Sequence, residues 1–234
     1  MEQWFTADLH LGHVNIISYS GRPFSDVVEM NEAIVERWNE VVATDDRVLV
    51  LGDVAMGRID DTLKIAGRLN GVKILLTGNH DRCASFLGKN TAEWTRRYLD
   101  EGGFAEVHQG TMRVDLDERH RKLLACHFPY HGDSTHELRY AAERPPDQGE
   151  WILHGHVHDA WRQAGRQINV GLDAWGGRLV TADEVVGLIE AGPRDLPRIL
   201  WPGREQISSG HSRQSRGDTA TDGSERDQSD ELLG

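Results

Sequence analysis

The feature that most constrains the fold is a buried strand that ends in a short polar turn. The apolar run Val72–Leu76 is typical of a strand inside a sheet, and Gly78, Asn79, His80 and Asp81 follow where the backbone must turn. Glycine permits a tight turn, and the amide oxygen of Asn79 is a neutral metal ligand. An imidazole can transfer protons, and a neighbouring carboxylate can orient it. Because sites in α/β proteins assemble at such turns, this stretch predicts a functional site.

Other strand-like runs end in the same kind of side chain. They lead in turn to Asp8 and His10, to Asp53, to His127, and to His156 and His158. In an extended chain alternate side chains point the same way, so Asp8 and His10 could reach one ion. The same argument applies to His156 and His158. The five stretches together are far more specific than any one of them.

The ligand types indicate which metals the site would hold. The seven predicted ligands are Asp8, His10, Asp53, Asn79, His127, His156 and His158. Carboxylate, imidazole and amide oxygen ligands without a thiolate suit hard to borderline divalent ions. Seven ligands are too many for one ion that keeps an open coordination position. We therefore expect two divalent ions, with manganese first and iron, zinc, cobalt or nickel as alternatives.

In order and context these motifs resemble those of the calcineurin-like metallophosphoesterase superfamily. The motifs are Asp8-Leu9-His10, Gly52-Asp53, Gly78-Asn79-His80-Asp81, His127 and Gly155-His156-Val157-His158. The resemblance covers residues from about 4 to 191. It implies a layered α/β/β/α sandwich with mixed sheets. It also implies that one ion is held by Asp8, His10, Asp53 and His158, and the other by Asp53, Asn79, His127 and His156, with Asp53 shared.

The resemblance further implies a phosphodiesterase of the small bacterial or phage type. The protein serine/threonine phosphatases of this superfamily carry Gly-Asp-x-x-Asp-Arg-Gly and Gly-Asn-His-Glu. Here Gly52-Asp53 is followed by Val-Ala-Met-Gly-Arg, and Asp81 replaces the glutamate. The expected reaction is attack on phosphorus by hydroxide held between two ions, with 2′,3′-cyclic or other cyclic nucleotides as candidate substrates. His80 would assist the leaving oxygen, and Asp81 would hold its ring.

Three other functions stay open at this point. A phosphomonoesterase or a nuclease of the same superfamily would use the same ligands. A repair-type nuclease would carry additional domains and a DNA-binding surface, which an acidic chain of this length lacks. A catalytically silent binding module would usually have lost a ligand, whereas every ligand position is filled here.

Two residues outside the ligand set are candidates for substrate binding, and Asn79 is counted in both roles. Arg22 precedes a proline in a loop and could clamp a phosphate oxygen with two hydrogen bonds. His131 lies in a long loop that could shape a substrate mouth. For each of them a solvent-facing side chain without a role is the alternative. His13 could extend the site, support it from outside, or be a polar loop residue.

Charge and composition limit the class of partner. The formal net charge of -12 argues against binding nucleic-acid polymers through a broad basic face, which leaves a small phosphodiester as the expected partner. No run reaches transmembrane length, and strand 3–7 already leads to Asp8, so neither a membrane span nor a signal peptide is expected. Cys83 and Cys126 are too few for a disulfide framework. These features predict a cytoplasmic protein, and they leave the oligomeric state open.

The apolar pattern predicts one domain over residues 1–202 and a disordered polar tail over 203–234. Alternation of strands and helices in the first half predicts a layered α/β domain, and the second half is expected to be antiparallel. Helices are predicted from 26 to 42, 59 to 70 and 90 to 99, and the third opens with a capping-box-like Asn90/Glu93 pair. A last helix with a Thr181/Glu184 capping box is expected to end at Gly192-Pro193 and complete the fold.

Removal of residues 204–234 is expected to leave folding and turnover unchanged, because this segment cannot bury a core and lies beyond every motif. Urea unfolding and hydrolysis of a generic phosphodiester, measured on the full and shortened chains, check this. A shortened chain that no longer folds or turns over substrate would contradict the domain boundary.

Overall fold

The computed structural model describes residues 1–88, 90–116, 122–133 and 140–203. The strands are β1 (Gln3–Thr6), β2 (Arg47–Val50), β3 (Val72–Leu76), β4 (Phe104–His108), β5 (Thr111–Asp115), β6 (Lys122–Cys126), β7 (Ile152–His154), β8 (Gln163–Gly165), β9 (Gln167–Asn169), β10 (Val180–Thr181) and β11 (Arg194–Leu196). The α-helices are α1 (Ile16–Tyr19), α2 (Val27–Val41), α3 (Ile59–Ala66), α4 (Thr91–Asp100) and α5 (Ala182–Glu190). Apart from Gly203, the predicted tail lies outside the described residues.

The strands form two mixed sheets. The first has the order β10-β1-β2-β3-β4, in which only β10 runs antiparallel to its neighbour. The second has the order β11-β8-β9-β7-β6-β5. There β5 and β6, β8 and β9, and β11 and β8 pair antiparallel as expected, but β6, β7 and β9 are parallel to one another, so the second half is mixed and not antiparallel throughout. The connection between β6 and β7 is long enough to return the chain in the same direction, as a parallel pair requires.

Alternation along each central strand divides the core into two layers. In β2, Val48 and Val50 pack towards α2, α3 and α4, whereas Leu49 and the following residue Leu51 pack towards the second sheet. The two stacked sheets and this helical layer agree with an α/β sandwich. On the outer face of the second sheet, Phe128 covers Ile152. Among the described residues, Phe86 and Tyr140 pack against this cluster, and neither belongs to an α-helix.

Capping explains where the helices begin. The Asp26 carboxylate accepts hydrogen bonds from the backbone N–H groups of Val28 and Glu29 and so begins α2. The capping box predicted at Thr181 and Glu184 forms at the start of α5. A capping interaction expected from Asn90 does not form, because Asn90 has a φ of 55° and its side chain makes no cap hydrogen bond.

The fold continues beyond the point where the sequence predicted its end. After α5 the chain adds the edge strand β11, and Trp201 is buried with its Nε1–H donating to Asp173 Oδ1 at 3.0 Å. A three-residue strand and one tryptophan carry no periodic signal, which is why sequence patterns missed them. Within the described ranges, no helix has the length and apolar character needed to cross a membrane.

Thr181→Ala should lower the free energy of unfolding by about 0.5–2 kcal/mol, because it removes the side chain that caps α5. Urea denaturation followed by tryptophan fluorescence measures the change. Thr44→Ala is the matched control, since Thr44 is exposed in a loop. Equal stability of the two variants would show that the capping box contributes nothing measurable.

Candidate metal centre

The predicted ligands lie on loops that leave the carboxyl ends of strands from both sheets. Asp8, Asp53 and Asn79 follow β1, β2 and β3, and His127 and His156 follow β6 and β7. Backbone hydrogen bonds join neighbouring loops: the N–H of Asp8 donates to Gly52 O, and that of Gly155 donates to His127 O, both at 3.0 Å. The sheets therefore bring together residues that are far apart in sequence.

One group of four side chains could hold a metal ion. Ligand atoms of Asp8, His10, Asp53 and His158 lie within 4.8 Å of one another. The Nε2 atoms of His10 and His158 are 3.1 Å apart, and His10 Nε2 is 3.8 Å from Asp53 Oδ2. Two imidazoles and two carboxylates converging at this distance fit a divalent ion of the first transition row.

A second group adjoins the first through Asp53. Asn79 Oδ1 lies 3.1 Å from His127 Nε2 and 3.0 Å from His156 Nδ1. His127 Nε2 is 3.6 Å from the same Asp53 Oδ2 that approaches His10. All seven predicted ligands are therefore in one continuous cluster, with Asp53 Oδ2 between its two halves.

Contacts on the far side of each ligand fix which atom faces the centre. His127 Nδ1 is 2.7 Å from Leu51 O, so its N–H donates there and Nε2 keeps its lone pair. His10 Nδ1 is 3.2 Å from Met56 Sδ in the same way. Asp53 Oδ1 accepts the backbone N–H of His80 at 2.9 Å, which leaves Oδ2 for the centre.

The ligands share an uncommon backbone conformation. Asp8, His10, Asp53, His156 and His158 have φ values of 55°, 52°, 56°, 69° and 47°. Among the other described non-glycine residues, only Asn90 and Tyr140 have positive φ. Such residues cost about 1–3 kcal/mol each and cluster at functional sites. Alternation along an extended strand was therefore the wrong reason for each pair to share a face, because β1 and β7 end before these residues.

Close packing of the loops also depends on glycine. A Cβ on Gly78 would lie 2.4 Å from Asp53 Oδ1, and one on Gly52 would lie 2.6 Å from the Cα of Gly78. Larger residues at these positions would push the Asp53 loop away from the centre.

Burial sets the electrostatics of the cluster. Burial raises the pKa of Asp8 to about 8 and lowers those of His10 and His158. Burial would also raise the pKa of Asp53, but the charges of His127 and His80 outweigh it and lower this pKa. A buried carboxyl such as Asp8 needs nearby positive charge to be ionised at neutral pH. A divalent cation would supply that charge, so the donor set fits a metal.

Arg22 is not available to a substrate, so the predicted phosphate clamp is wrong. Its side chain is buried and binds Asp173 with two hydrogen bonds of 2.9 Å. Nη1 donates to the backbone oxygen of Leu9, and Nη2, which also binds Asp173, donates to that of Asp8, each at 2.8 Å. Arg22 therefore supports the Asp8 loop from inside the protein.

Asp81 also has a role different from the predicted one. Its carboxylate accepts the backbone N–H groups of Asp53, Val54 and Gly78 at 2.9, 3.1 and 2.8 Å. The hydroxyl of Tyr98 donates to it at 3.2 Å. Because both oxygens are engaged under the turn, Asp81 joins the Asp53 and Gly78 loops and does not orient the His80 ring.

The remaining predicted residues lie towards solvent. The His80 side chain is 39% exposed, and its Nε2 is 4.0 Å from Asp53 Oδ2. The His13 ring centroid is 5.3 Å from that of His10. His131 is 73% exposed and lies 3.4 Å from Asp147. None of the described contacts of His131 reaches a ligand, so its substrate role stays a prediction.

Sequence reasoning missed three residues that support the ligands. Asn169 donates its Nδ2–H to His158 O at 2.9 Å, Asp173 pairs with Arg22, and Asp133 Oδ2 lies 3.2 Å from His156 Nε2. Asp133 belongs to the long loop that was noted only as a substrate mouth. No local pattern marks the other two, because their partners are distant in sequence.

Phage proteins are among the relatives of the chain. No family model matches it. It is 36% identical over 202 residues to the gene 66 protein of Mycobacterium phage L5, covering 80% of this chain and 93% of that protein. The chain therefore belongs to the family of the mycobacteriophage gene 66 proteins.

Solved structures add information on the fold. A protein of unknown function from Aquifex aeolicus superposes with a TM-score of 0.59 and 22% identity, over 80% of this chain and 98% of that one. This likeness shows a shared α/β fold. A novel archaeal phosphodiesterase is similar over 73% of this chain and 84% of its own, with 18% identity, and its TM-score of 0.36 is too low to carry an argument.

Arg22→Ala should lower the free energy of unfolding by about 3–5 kcal/mol, because it leaves the buried Asp173 carboxylate without its partner. Urea denaturation measures the change. Arg58→Ala is the matched control, because the exposed Arg58 forms a surface ion pair with Asp61, and we expect little effect. Unchanged stability of Arg22→Ala together with a raised KM would restore the clamp role.

Proposed function

We propose that this protein is a dinuclear-metal phosphoesterase of the calcineurin-like type that hydrolyses small phosphodiesters. The observation that carries the proposal is the position of Asp53 Oδ2, 3.8 Å from His10 Nε2 and 3.6 Å from His127 Nε2. A carboxylate oxygen between two sets of ligands is what a shared bridging ligand requires. The order of the motifs along the chain supports the same class.

The assignment of ligands follows the two halves of the cluster. Asp8, His10, Asp53 and His158 would hold one ion, and Asp53, Asn79, His127 and His156 the other. When bound, two divalent ions, for which manganese is our first expectation, would polarise the phosphate oxygens and lower the pKa of coordinated water. The protein's own contribution would be to hold the imidazole and carboxylate ligands in place before substrate arrives.

His80 is the candidate proton donor to the leaving oxygen. Its ring stands beside the ligands, with its centroid 5.6 Å from that of His10, and its side chain reaches solvent. Its backbone N–H donates to Asp53 Oδ1, so the main chain, rather than Asp81, sets its position. A positioned general acid typically contributes about 10²–10⁴-fold to the rate.

Charge and leaving group favour a diester over a monoester as substrate. A monoester dianion can lie across two cations without further help, whereas a diester carries one charge fewer and its leaving alkoxide needs a proton. The residue placed to give that proton is His80. The net charge of -12 favours small substrates over nucleic-acid polymers, and cyclic nucleotides are the first candidates. A phosphomonoesterase or a nuclease is the alternative function that the substrate test would reveal.

His80→Ala should slow hydrolysis of a 2′,3′-cyclic nucleotide by about 10²–10⁴-fold and affect bis(4-nitrophenyl) phosphate far less, because nitrophenolate leaves without a proton. Turnover of both substrates is measured at saturating manganese on wild type and variant. His108→Ala is the control, because His108 is an exposed imidazole that contacts Glu106.

Three results would count against the proposal. Equal losses on the two substrates would remove His80 from the role of general acid. A wild-type preference for 4-nitrophenyl phosphate over both diesters would replace the diesterase by a monoesterase. Full turnover after verified removal of metal by a chelator would overturn the dinuclear site.

A further inference from the structure

The imidazole of His156 lies between a ligand and a buried carboxylate. Its Nδ1 is 3.0 Å from Asn79 Oδ1, on the side of the metal cluster. Its Nε2 is 3.2 Å from Asp133 Oδ2, and the two side chains are only 3% and 2% exposed. In the described part of the chain Nε2 makes no hydrogen bond of regular geometry, and Asp133 Oδ2 is a polar atom that approaches it closely.

Asp133 is itself held in place by a buried arginine. Arg144 donates through one terminal nitrogen to Asp133 Oδ2 at 2.9 Å. Its other terminal nitrogen donates to Pro129 O at 3.1 Å and to Gly132 O at 2.7 Å. The guanidinium therefore ties Asp133 to the segment that follows ligand His127, and the whole arrangement is fixed by main-chain contacts.

The two halves of the metal cluster differ in charge. The half with Asp8 and His10 contains a carboxylate of its own as well as the shared Asp53. The half with Asn79 and His156 has only the shared carboxylate and a neutral amide. Asp133 places a carboxylate behind this second half, in contact with the His156 nitrogen that points away from Asn79. The far nitrogens of His127 and His10 contact a carbonyl oxygen and a thioether.

We propose that Asp133 is a positioning residue for the metal ion held by Asn79, His127 and His156. It accepts the Nε2 proton of His156, so that Nδ1 presents its lone pair, and it makes this half of the cluster more favourable for a cation. Arg144 holds Asp133 in place. The inference rests on the metal centre of the proposed function, and it concerns metal affinity instead of turnover. Contacts of this kind typically change metal affinity by about 10–100-fold.

The test compares metal binding in variants at Asp133. Asp133→Ala should weaken the binding of one of two manganese ions by about 10–100-fold and leave the affinity for the other unchanged. Asp133→Asn, which keeps an acceptor without the charge, should lie between wild type and Asp133→Ala. Equilibrium dialysis with elemental analysis gives the stoichiometry and affinities. At limiting metal, the electron paramagnetic resonance signal of coupled manganese ions should decrease from wild type to Asp133→Asn and decrease further in Asp133→Ala.

Two further variants distinguish the positioning role of Asp133 from a general effect of removing a carboxylate from this segment. Asp147→Ala removes a carboxylate that is 41% exposed on the same segment, and it should bind manganese as wild type does. Arg144→Gln should weaken the binding of the same ion as Asp133→Ala does. It serves as the second variant if Asp133→Ala does not fold. Thermal unfolding of the metal-free proteins shows which variants are folded.

The measured metal affinities decide whether Asp133 has this role. If folded Asp133→Ala binds both ions with wild-type affinity, the inference is overturned. Equal weakening of the binding of both ions would overturn it as well. If the wild-type protein binds fewer than two ions, the proposed function itself fails, and that result is visible before any variant is compared. Selective weakening with partial recovery in Asp133→Asn supports the positioning role.

Discussion

The architecture of the site depends on how the protein keeps the Asp53 carboxylate in a buried place. One oxygen accepts the His80 N–H, and the other faces His10 and His127. An unpaired buried carboxylate would cost several kcal/mol, so its neighbours have to compensate it. Burial of Asp8 in the same cluster increases that cost. The charge of His127, which the second sheet brings to the cluster, offsets part of this cost at both carboxylates.

A second requirement is the backbone strain of the ligand loops. Five ligands adopt left-handed conformations, and strain of this kind persists only where the surroundings hold it. The structure supplies three such supports. Arg22 binds the carbonyl oxygens of the Asp8 loop, Asp81 accepts the amides of the Asp53 loop, and Asn169 donates to the carbonyl oxygen of His158. Each support is buried and lies behind the ligands, so the strained loops are held from the protein interior.

The difference between the ligands and the buried residues that support them explains what the sequence could and could not predict. The ligands were recognisable because each follows an apolar strand, and strand ends are local features. The roles of Arg22 and Asp173 were not, because these partners are 151 positions apart and either could equally lie at the surface. Asp81 was misassigned because its neighbour in sequence, His80, is not its partner in space. The strand β11 and the buried Trp201 were missed because a single short edge strand has no periodicity.

The position of His80 links the proposed proton donor to the proposed bridging ligand. Its amide donates to Asp53 Oδ1, while Asp81, the next residue, accepts the amide of Asp53. The two loops therefore exchange hydrogen bonds in both directions, and a change in the Asp53 side chain would move the His80 backbone as well. A variant at Asp53 would alter metal binding and proton donation together. Replacing only the imidazole of His80 leaves those main-chain bonds intact, because none of them uses the ring, so it isolates the contribution of the proton.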